Sequence, residues 1–327
     1  MARALIALLV LFLAACQPRL QLPGDAVAPP RLTGDAYIAA DGARLPLRVW
    51  LPEGRPKAVL VALHGFNDYS NAFEKPAAFW AERGIATYAY DQRGFGDTDH
   101  RGEWSGIAAM ANDLKAVSRL VRARHAGIPF YIVGISMGGA VAMVALTGAD
   151  PPEAEGVVLA APAVWGRRHM NVFQRAALWL AAHTVPWLRV SGRGLGIKPS
   201  DNTEMLRALG RAPLVIKETR IDTIWGLANL MDAAFAAAPK LTAPALILYG
   251  ANDEVVPKDP TVEMIRRLPP AAGARQRIAM YEEGFHMLLR DLQADAVLSD
   301  IVAWIEDAAR PLPSGADERA RERLVAE

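Results

Sequence analysis

The run Phe130-Tyr131-Ile132-Val133-Gly134-Ile135-Ser136-Met137-Gly138-Gly139-Ala140 constrains this chain more than any other stretch. An apolar, partly β-branched segment ends in Gly-x-Ser-x-Gly, small residues follow, and an apolar helical segment comes next. The pattern predicts a strand, a sharp turn and a helix, with one hydroxyl raised at the turn where it can attack a carbonyl. Glycines on both sides fit a turn too tight for side chains. Standing alone, the pentad also matches an ordinary serine in a glycine turn, and its partners elsewhere in the chain decide between the two.

The surrounding sequence alternates strand and helix signals. Residues 36–40 and 45–51 read as a hairpin joined through Asp41-Gly42, 58–63 as a buried strand ending at His64-Gly65, and 73–83 as a helix. A strand at 85–90 ends at Asp91, a long helix covers 107–125, and the serine strand at 130–135 leads into a helix reaching about 148. A further strand at 156–161 ends at Pro162. Alternation stops from Ala163 to about Lys240, where helical signals dominate, including 170–182 and 222–238. It resumes with a strand at 245–249, a helix at 261–268, a strand at 275–281 and an amphipathic helix at 294–309. Strands separated by helices imply an α/β fold with a mostly parallel central sheet covered on both faces. Reactive residues then belong beyond the carboxyl ends of the strands. The helical insertion starts from that same edge, where it is placed to form a cap.

The expected organisation is a core of residues 34–162 and 241–310, a helical cap at 163–240, and a frayed polar tail at 311–327. Residues 17–33, rich in Pro and Gly, read as a flexible tether. With 52% hydrophobic residues the body can bury a sizeable core. Thirty-six basic residues against 35 acidic ones leave a net charge of +1, which gives no field for nucleic acid. Nothing in the sequence specifies an oligomeric state.

Cys16 is the only cysteine, so no intrachain disulfide forms. Before it lie Arg3 and an apolar run from Ala4 to Ala15, too short to span a bilayer and of signal-peptide length. The run ends in Leu13-Ala14-Ala15-Cys16, which resembles the lipobox of bacterial lipoproteins. That resemblance implies lipidation of Cys16 after removal of the leader and a stable multi-acyl membrane anchor. With Gln17 rather than Asp next, it also implies the outer membrane, facing the periplasm. A plain secretory signal is the alternative.

Serine needs a base. Of six histidines, only His286 lies just after the last strand, in Glu283-Gly284-Phe285-His286-Met287. Asp253, in the turn after the penultimate strand, is the expected carboxylate that orients the base; Glu254 is adjacent, and Asp222 and Asp291 are weaker candidates. The order Ser136, Asp253, His286 is that of α/β-hydrolases. For an oxyanion, the Met137 N–H lies at a helix N-terminus, and the Phe66 N–H in His64-Gly65-Phe66-Asn67 is the expected second donor. His64 then braces the loop and carries no proton.

His64-Gly65-Phe66, Asp91-Gln92-Arg93-Gly94-Phe95-Gly96, Gly134-Ile135-Ser136-Met137-Gly138-Gly139, Gly250-Ala251-Asn252-Asp253 and Gly284-Phe285-His286 together resemble the monoglyceride lipase and lysophospholipase group of α/β-hydrolases. The resemblance implies a Ser136–His286–Asp253 esterase with Phe66 and Met137 as oxyanion donors. Its substrates would be fatty acyl glycerols or lysophospholipids, and it would use no metal or other cofactor. Asn67 stands where a glycine is common, and Asp97 where a serine is common.

Apolar cap residues such as Trp165, Phe173, Trp179, Trp187, Trp225 and Phe235 suit an acyl chain, though most are expected to pack the cap onto the body. The pair Arg167-Arg168 fits either a phospholipid head group or a solvated face. Two rival readings stand beside the esterase. One is a proline iminopeptidase-like serine peptidase, which needs cap carboxylates to hold a free amine. The other is a non-catalytic, lipid-anchored binding protein of the same fold.

Overall fold

The computed structural model describes residues 17–269 and 275–326. The expected leader and Cys16, the expected lipidation site, lie outside the described residues. Eleven strands are present among those described: β1 (Arg31–Leu32), β2 (Ala36–Ile38), β3 (Arg44–Trp50), β4 (Ala58–Leu63), β5 (Ile85–Tyr90), β6 (Phe130–Ile135), β7 (Gly156–Ala160), β8 (Arg189–Val190), β9 (Thr219–Arg220), β10 (Ala245–Gly250) and β11 (Gln276–Tyr281). The helices are α1 (Glu74–Ala81), α2 (Ile107–Arg124), α3 (Met137–Thr147), α4 (Val172–Thr184), α5 (Thr203–Arg211), α6 (Ile221–Ala237), α7 (Lys258–Arg266), α8 (Ala294–Glu306) and α9 (Ala316–Ala326).

Nine strands form one sheet in the order β1-β2-β3-β5-β4-β6-β7-β10-β11. The first three join antiparallel, and every pairing from β5 onward is parallel. This is the mostly parallel α/β sheet the sequence predicts. The alternation of β4 shows how the sheet is buried on both faces: Val59, Val61 and Leu63 join a core with residues of α2, α3 and α6, while Leu60 and Ala62 join a second core with residues of α1 and α8. Near-continuous Val, Ile, Leu and Ala in β4 to β7 is what such double coverage requires.

The register sets the working edge. Ile135 pairs with Ala160, Ala160 with Leu248, and Gly250 with Tyr281. The ends of β6, β7, β10 and β11 therefore lie along one rim, and the segments carrying Ser136, Asp253 and His286 all leave from it.

The insertion between β7 and β10 divides in two. Helix α6 packs on α3, and its Leu230, Met231 and Phe235 belong to the main core. Helices α4 and α5 and the two-stranded β8–β9 ribbon make up the outer part. There the packing expectation fails for three aromatics and holds for another. Phe173 is 81% exposed, Trp187 57% and Trp179 50%, whereas Phe235 is buried. Helix α4 is apolar around most of its circumference, and only one stripe can face the body.

Two expectations about the ends need correction. Residues 17–33 are extended but docked, not a free tether: Gln21 N–H donates to Trp104 O, Val27 and Ala28 N–H to Ala40 O, and Arg31–Leu32 forms the edge strand β1. The expected frayed tail, 311–327, is ordered over its described residues 311–326. It contains α9, which packs on β11 and buries Leu312, Ala316 and Ala320. Its buried side is lined mainly by alanine, which gives little hydropathy signal. Among the described residues no helix is long and apolar enough to cross a membrane.

Candidate active site

Ser136 sits at the β6–α3 junction with φ 51° and ψ −113°. A non-glycine residue there carries strain, and such strain concentrates at functional turns. The flanking glycines are steric necessities. A Cβ on Gly134 would lie 2.6 Å from Gly138 C, and one on Gly138 would lie 2.3 Å from Leu63 O. The turn is clamped from outside as well: Ser136 N–H donates to Ala160 O (2.9 Å), and Ser136 O accepts from the N–H of Ala163 (3.0 Å) and of Ala140 (3.1 Å). Ser136 is largely buried.

His286 Nδ1 donates to Asp253 Oδ2 at 2.8 Å, and both residues are buried. The other carboxylate oxygen of Asp253 accepts from the N–H of Val255 (2.8 Å) and of Val256 (2.9 Å). Asp253 thus orients the ring and fixes the proton on Nδ1, which leaves Nε2 as the basic nitrogen. The two loops are held in contact by backbone: Asn252 N–H donates to Gly284 O at 2.9 Å. Among the hydrogen bonds of the described residues, none joins Ser136 Oγ to the imidazole. Without substrate such contacts are commonly long and tighten in the complex.

The competing carboxylates are committed elsewhere. Asp222 pairs with Arg220 at 2.6 Å, and Glu254 accepts from Lys198 N–H at 2.7 Å. Asp291 is buried and accepts from Ser200 Oγ (2.6 Å) and Phe285 N–H (2.8 Å). Burial pushes its carboxyl above the usual range, and those two donors oppose the shift. Asp291 therefore ties the cap segment at Ser200 to the residue next to His286. The other histidines are likewise engaged: His125 with Tyr88, His169 with Glu263, His183 stacked on Trp179, and His100 near Glu103.

The loop after β4 lies against the serine, since a Cβ on Gly65 would be 3.5 Å from Ser136 Cβ. Phe66 follows in this loop, and Met137 N–H opens α3 on the other side of Ser136. His64 braces the loop as expected. Its Nε2 accepts from Gln92 N–H (2.9 Å), and its Nδ1 donates to Gly65 O (2.8 Å). Asn67, at the position where glycine is common, has φ 63°. Glycine reaches that region freely, and asparagine is among the few other residues that tolerate it. The side chain adds a link glycine lacks, with Nδ2 donating to Thr219 Oγ1 on β9 (2.7 Å) while Asn67 O accepts from Ile216 N–H (2.9 Å). Sequence reading did not find the Asp68–Arg290 ion pair, 2.5 Å long and largely buried, which joins this loop to the histidine loop. Neither residue belongs to a motif, and only the fold brings them together.

Arg167 and Arg168 are neither free nor simply solvated. Arg167 pairs with Asp232 (2.5 Å) and stacks over Trp225, which ties the start of the insertion to its own helix α6, and Arg168 pairs with Glu263 (2.9 Å) on α7, which pins the insertion to the body. Among the described residues no group of three or more His, Cys, Asp or Glu is arranged to hold a metal.

A strained serine at a helix N-terminus and a buried His–Asp pair leave one sheet rim, with the loop after β4 against the serine, an arrangement suited to acyl transfer. Comparison with known proteins agrees. The family model described as serine aminopeptidase, S33, matches residues 54–293. The monoacylglycerol lipase of Mycolicibacterium smegmatis is 24% identical over 275 residues, covering 83% of this chain and 95% of that protein. The human monoglyceride lipase is 26% identical over 275 residues, covering 82% and 88%. Among solved structures, a soluble variant of the monoglyceride lipase of Saccharomyces cerevisiae, in complex with a substrate analog, superposes with a TM-score of 0.70 at 20% identity, covering 89% of this chain and 97% of that one. The Paleococcus ferrophilus monoacylglycerol lipase gives 0.66 at 21%, covering 80% and 98%. These structural likenesses establish the α/β-hydrolase fold.

Proposed function

The chain belongs to the serine aminopeptidase, S33 family of hydrolases, and from that premise we propose that it is a carboxylic ester hydrolase that releases fatty acid from monoacylglycerol through an acyl-enzyme on Ser136. The observation that carries the reading is the 2.8 Å His286–Asp253 contact on the same rim as the strained Ser136 turn. Ser136 Oγ attacks the acyl carbonyl and His286 Nε2 takes its proton. The oxyanion is held by the N–H groups of Met137 and Phe66. His286 then protonates the departing glycerol oxygen, and water, deprotonated by the same imidazole, cleaves the acyl-enzyme. Asp253 stabilises the imidazolium without itself taking the proton.

The family description includes aminopeptidases, and the carboxylates of the insertion weigh against that activity here. Holding a free amine takes an uncommitted acid near the serine, but Asp222 is paired with Arg220, Asp232 with Arg167, and Asp201 accepts from Leu292 N–H; of the other two, Glu204 is exposed on α5 and Glu218 lines a cavity crowded with cations, which compete with a free amine for it. Relatives named as monoacylglycerol lipases across most of the chain favour the ester. Lysophospholipids carry the same acyl ester and are proposed as second substrates. Ser136→Ala should abolish fluorophosphonate labelling and lower monoacylglycerol turnover by a factor on the order of 10⁴ or more. Labelling that persists in the variant overturns the nucleophile. Preference for aminoacyl-naphthylamides over acyl esters restores the peptidase, and a folded wild-type protein with no adduct restores the binding-protein reading.

We also propose that Cys16 is lipidated and anchors the enzyme at the outer membrane, on the strength of Leu13-Ala14-Ala15-Cys16. Cys16→Ser should then block maturation of the leader and acylation in a bacterial host. Unchanged acylation in that variant would sink the proposal.

A further inference from the structure

We propose that a cationic cavity between the outer insertion and the loop after β5, with Ser136 outside its lining, binds the phosphate of an anionic phospholipid headgroup. The cavity has a volume of about 490 Å³ and is lined by Arg101, Arg189, Arg193 and Lys217, with Glu218 as the one carboxylate in its wall. Among the described residues none of the four cations forms an ion pair. Arg101 reaches only the Gly96 carbonyl, at 3.5 Å, and the Lys217 ammonium donates to the carbonyls of Ala212 and Val215. Elsewhere on this insertion Arg167, Arg168 and Arg220 are matched to carboxylates, while Arg175, Arg207 and Arg211 stand scattered and do not line this cavity. Four cations against the single carboxylate of Glu218 leave an excess of positive charge around one hollow, and a bound anion relieves their mutual repulsion. Guanidinium groups are the side chains best shaped to grip phosphate oxygens in a bidentate fashion.

The surroundings select a lipid as the source of that phosphate. Arg189 and Arg193 are interleaved with exposed apolar side chains: Trp187 (57%), Leu188 (48%) and Leu195 (69%). Apolar and cationic residues alternating along one exposed segment suit the boundary between acyl chains and anionic headgroups. A soluble phosphate would gain nothing from the apolar rim. The cavity is also wired toward the reaction site, because Ile216 in its wall donates to the oxyanion-loop residue Asn67. Headgroup binding there would seat the insertion, and with it the mouth of the site, on the surface that holds the substrate.

The test is vesicle co-sedimentation of the chain from Gln17 onward, where the described residues begin, so that neither the apolar leader nor an acyl anchor contributes, with and without Arg189→Gln/Arg193→Gln. Both arginines are exposed, and unchanged thermal unfolding checks that the variant folds. Binding to phosphatidylcholine vesicles containing phosphatidylglycerol should weaken about 10- to 30-fold in the double variant. Binding to phosphatidylcholine alone should not change, and inorganic phosphate in excess, exchanged for chloride at constant ionic strength, should leave the wild-type chain on the mixed vesicles. Equal binding by both proteins overturns the site. Displacement by inorganic phosphate overturns the lipid assignment in favour of a soluble anion. Turnover of a soluble short-chain ester, expected to be equal in the two proteins, keeps this result distinct from any failure of the ester-hydrolase reading.

Discussion

His64 is fully buried and has both ring nitrogens assigned: Nε2 accepts from Gln92 N–H, and Nδ1 donates to Gly65 O. A second proton would turn the acceptor into a donor facing a donor. Burial holds its pKa below the usual histidine value, against the pull of Asp91. As pH falls below about 6.5 the unfolded chain takes up this proton before the folded chain does. Stability that is complete above that pH is therefore lost on acidification, by no more than about 1.4 kcal/mol per pH unit from this residue. Urea unfolding at pH 7.5 and 5.5 should show a smaller drop for His64→Asn than for the parent chain, and equal drops would remove His64 from the account. The bracing role was legible in the sequence because His64 directly follows a strand and precedes the loop glycine. The triad was legible for a related reason. Ser136, Asp253 and His286 each follow a short apolar run closed by glycine, so topology alone sends them to one rim. The Asp68–Arg290 and Asp291–Ser200 links were not legible, because nothing local distinguishes a bracing carboxylate from a solvated one.

Helix α6 is the element that fixes the insertion to the body, and it does so at one tight contact. A Cβ on Gly226 would fall 2.3 Å from Trp104 Cγ, and Trp104 is fully buried. One turn earlier, Thr223 Oγ1 donates to Gly102 O at 2.7 Å, so the helix cannot slide away freely. Gly226→Ala should gain slightly in helix propensity yet lose about 1–3 kcal/mol to overpacking, a net destabilisation. Because the strain resides in a single ring, Trp104→Leu in the same chain should recover part of that loss. A double-mutant cycle with purely additive effects would show that the two residues do not press on each other. Helix α6 was visible in the sequence from its long apolar stripe, as were β4, β5 and β6, whose buried runs end in glycine, aspartate or histidine. The β8–β9 ribbon was not. Its strands are two residues long, and Arg189 and Val190 face solvent, which leaves no alternation to read.

At the scale of the whole molecule, both ends of the described residues close against the sheet, one at each edge. The N-terminal segment lies on β2 and the turn at Trp104, and α9 packs on β11, the last strand of the order. An edge strand covered in this way is protected from pairing with another chain. The C-terminal attachment depends on charge as well as on small apolar residues. Arg277 on β11 pairs with Asp317 on α9 at 2.9 Å and also donates to the carbonyls of Ala308 and Arg310, and its side chain is only 15% exposed. Removing one partner from such a pair leaves a largely buried cation short of its counter-charge, and the remaining carbonyls soften the loss. Asp317→Ala should therefore cost about 2 kcal/mol, below the 3–5 expected for a fully buried pair. The nearby Arg323–Glu282 pair is similar in length, 2.9 Å, but about half exposed on both sides. Glu282→Ala should change stability by less than about 1 kcal/mol, because water screens what the pair provides. Denaturant unfolding of the two variants side by side separates a docked tail from a merely adjacent one. If Asp317→Ala proves as mild as Glu282→Ala, α9 contributes nothing to holding the edge, and the sequence expectation of a loose tail returns.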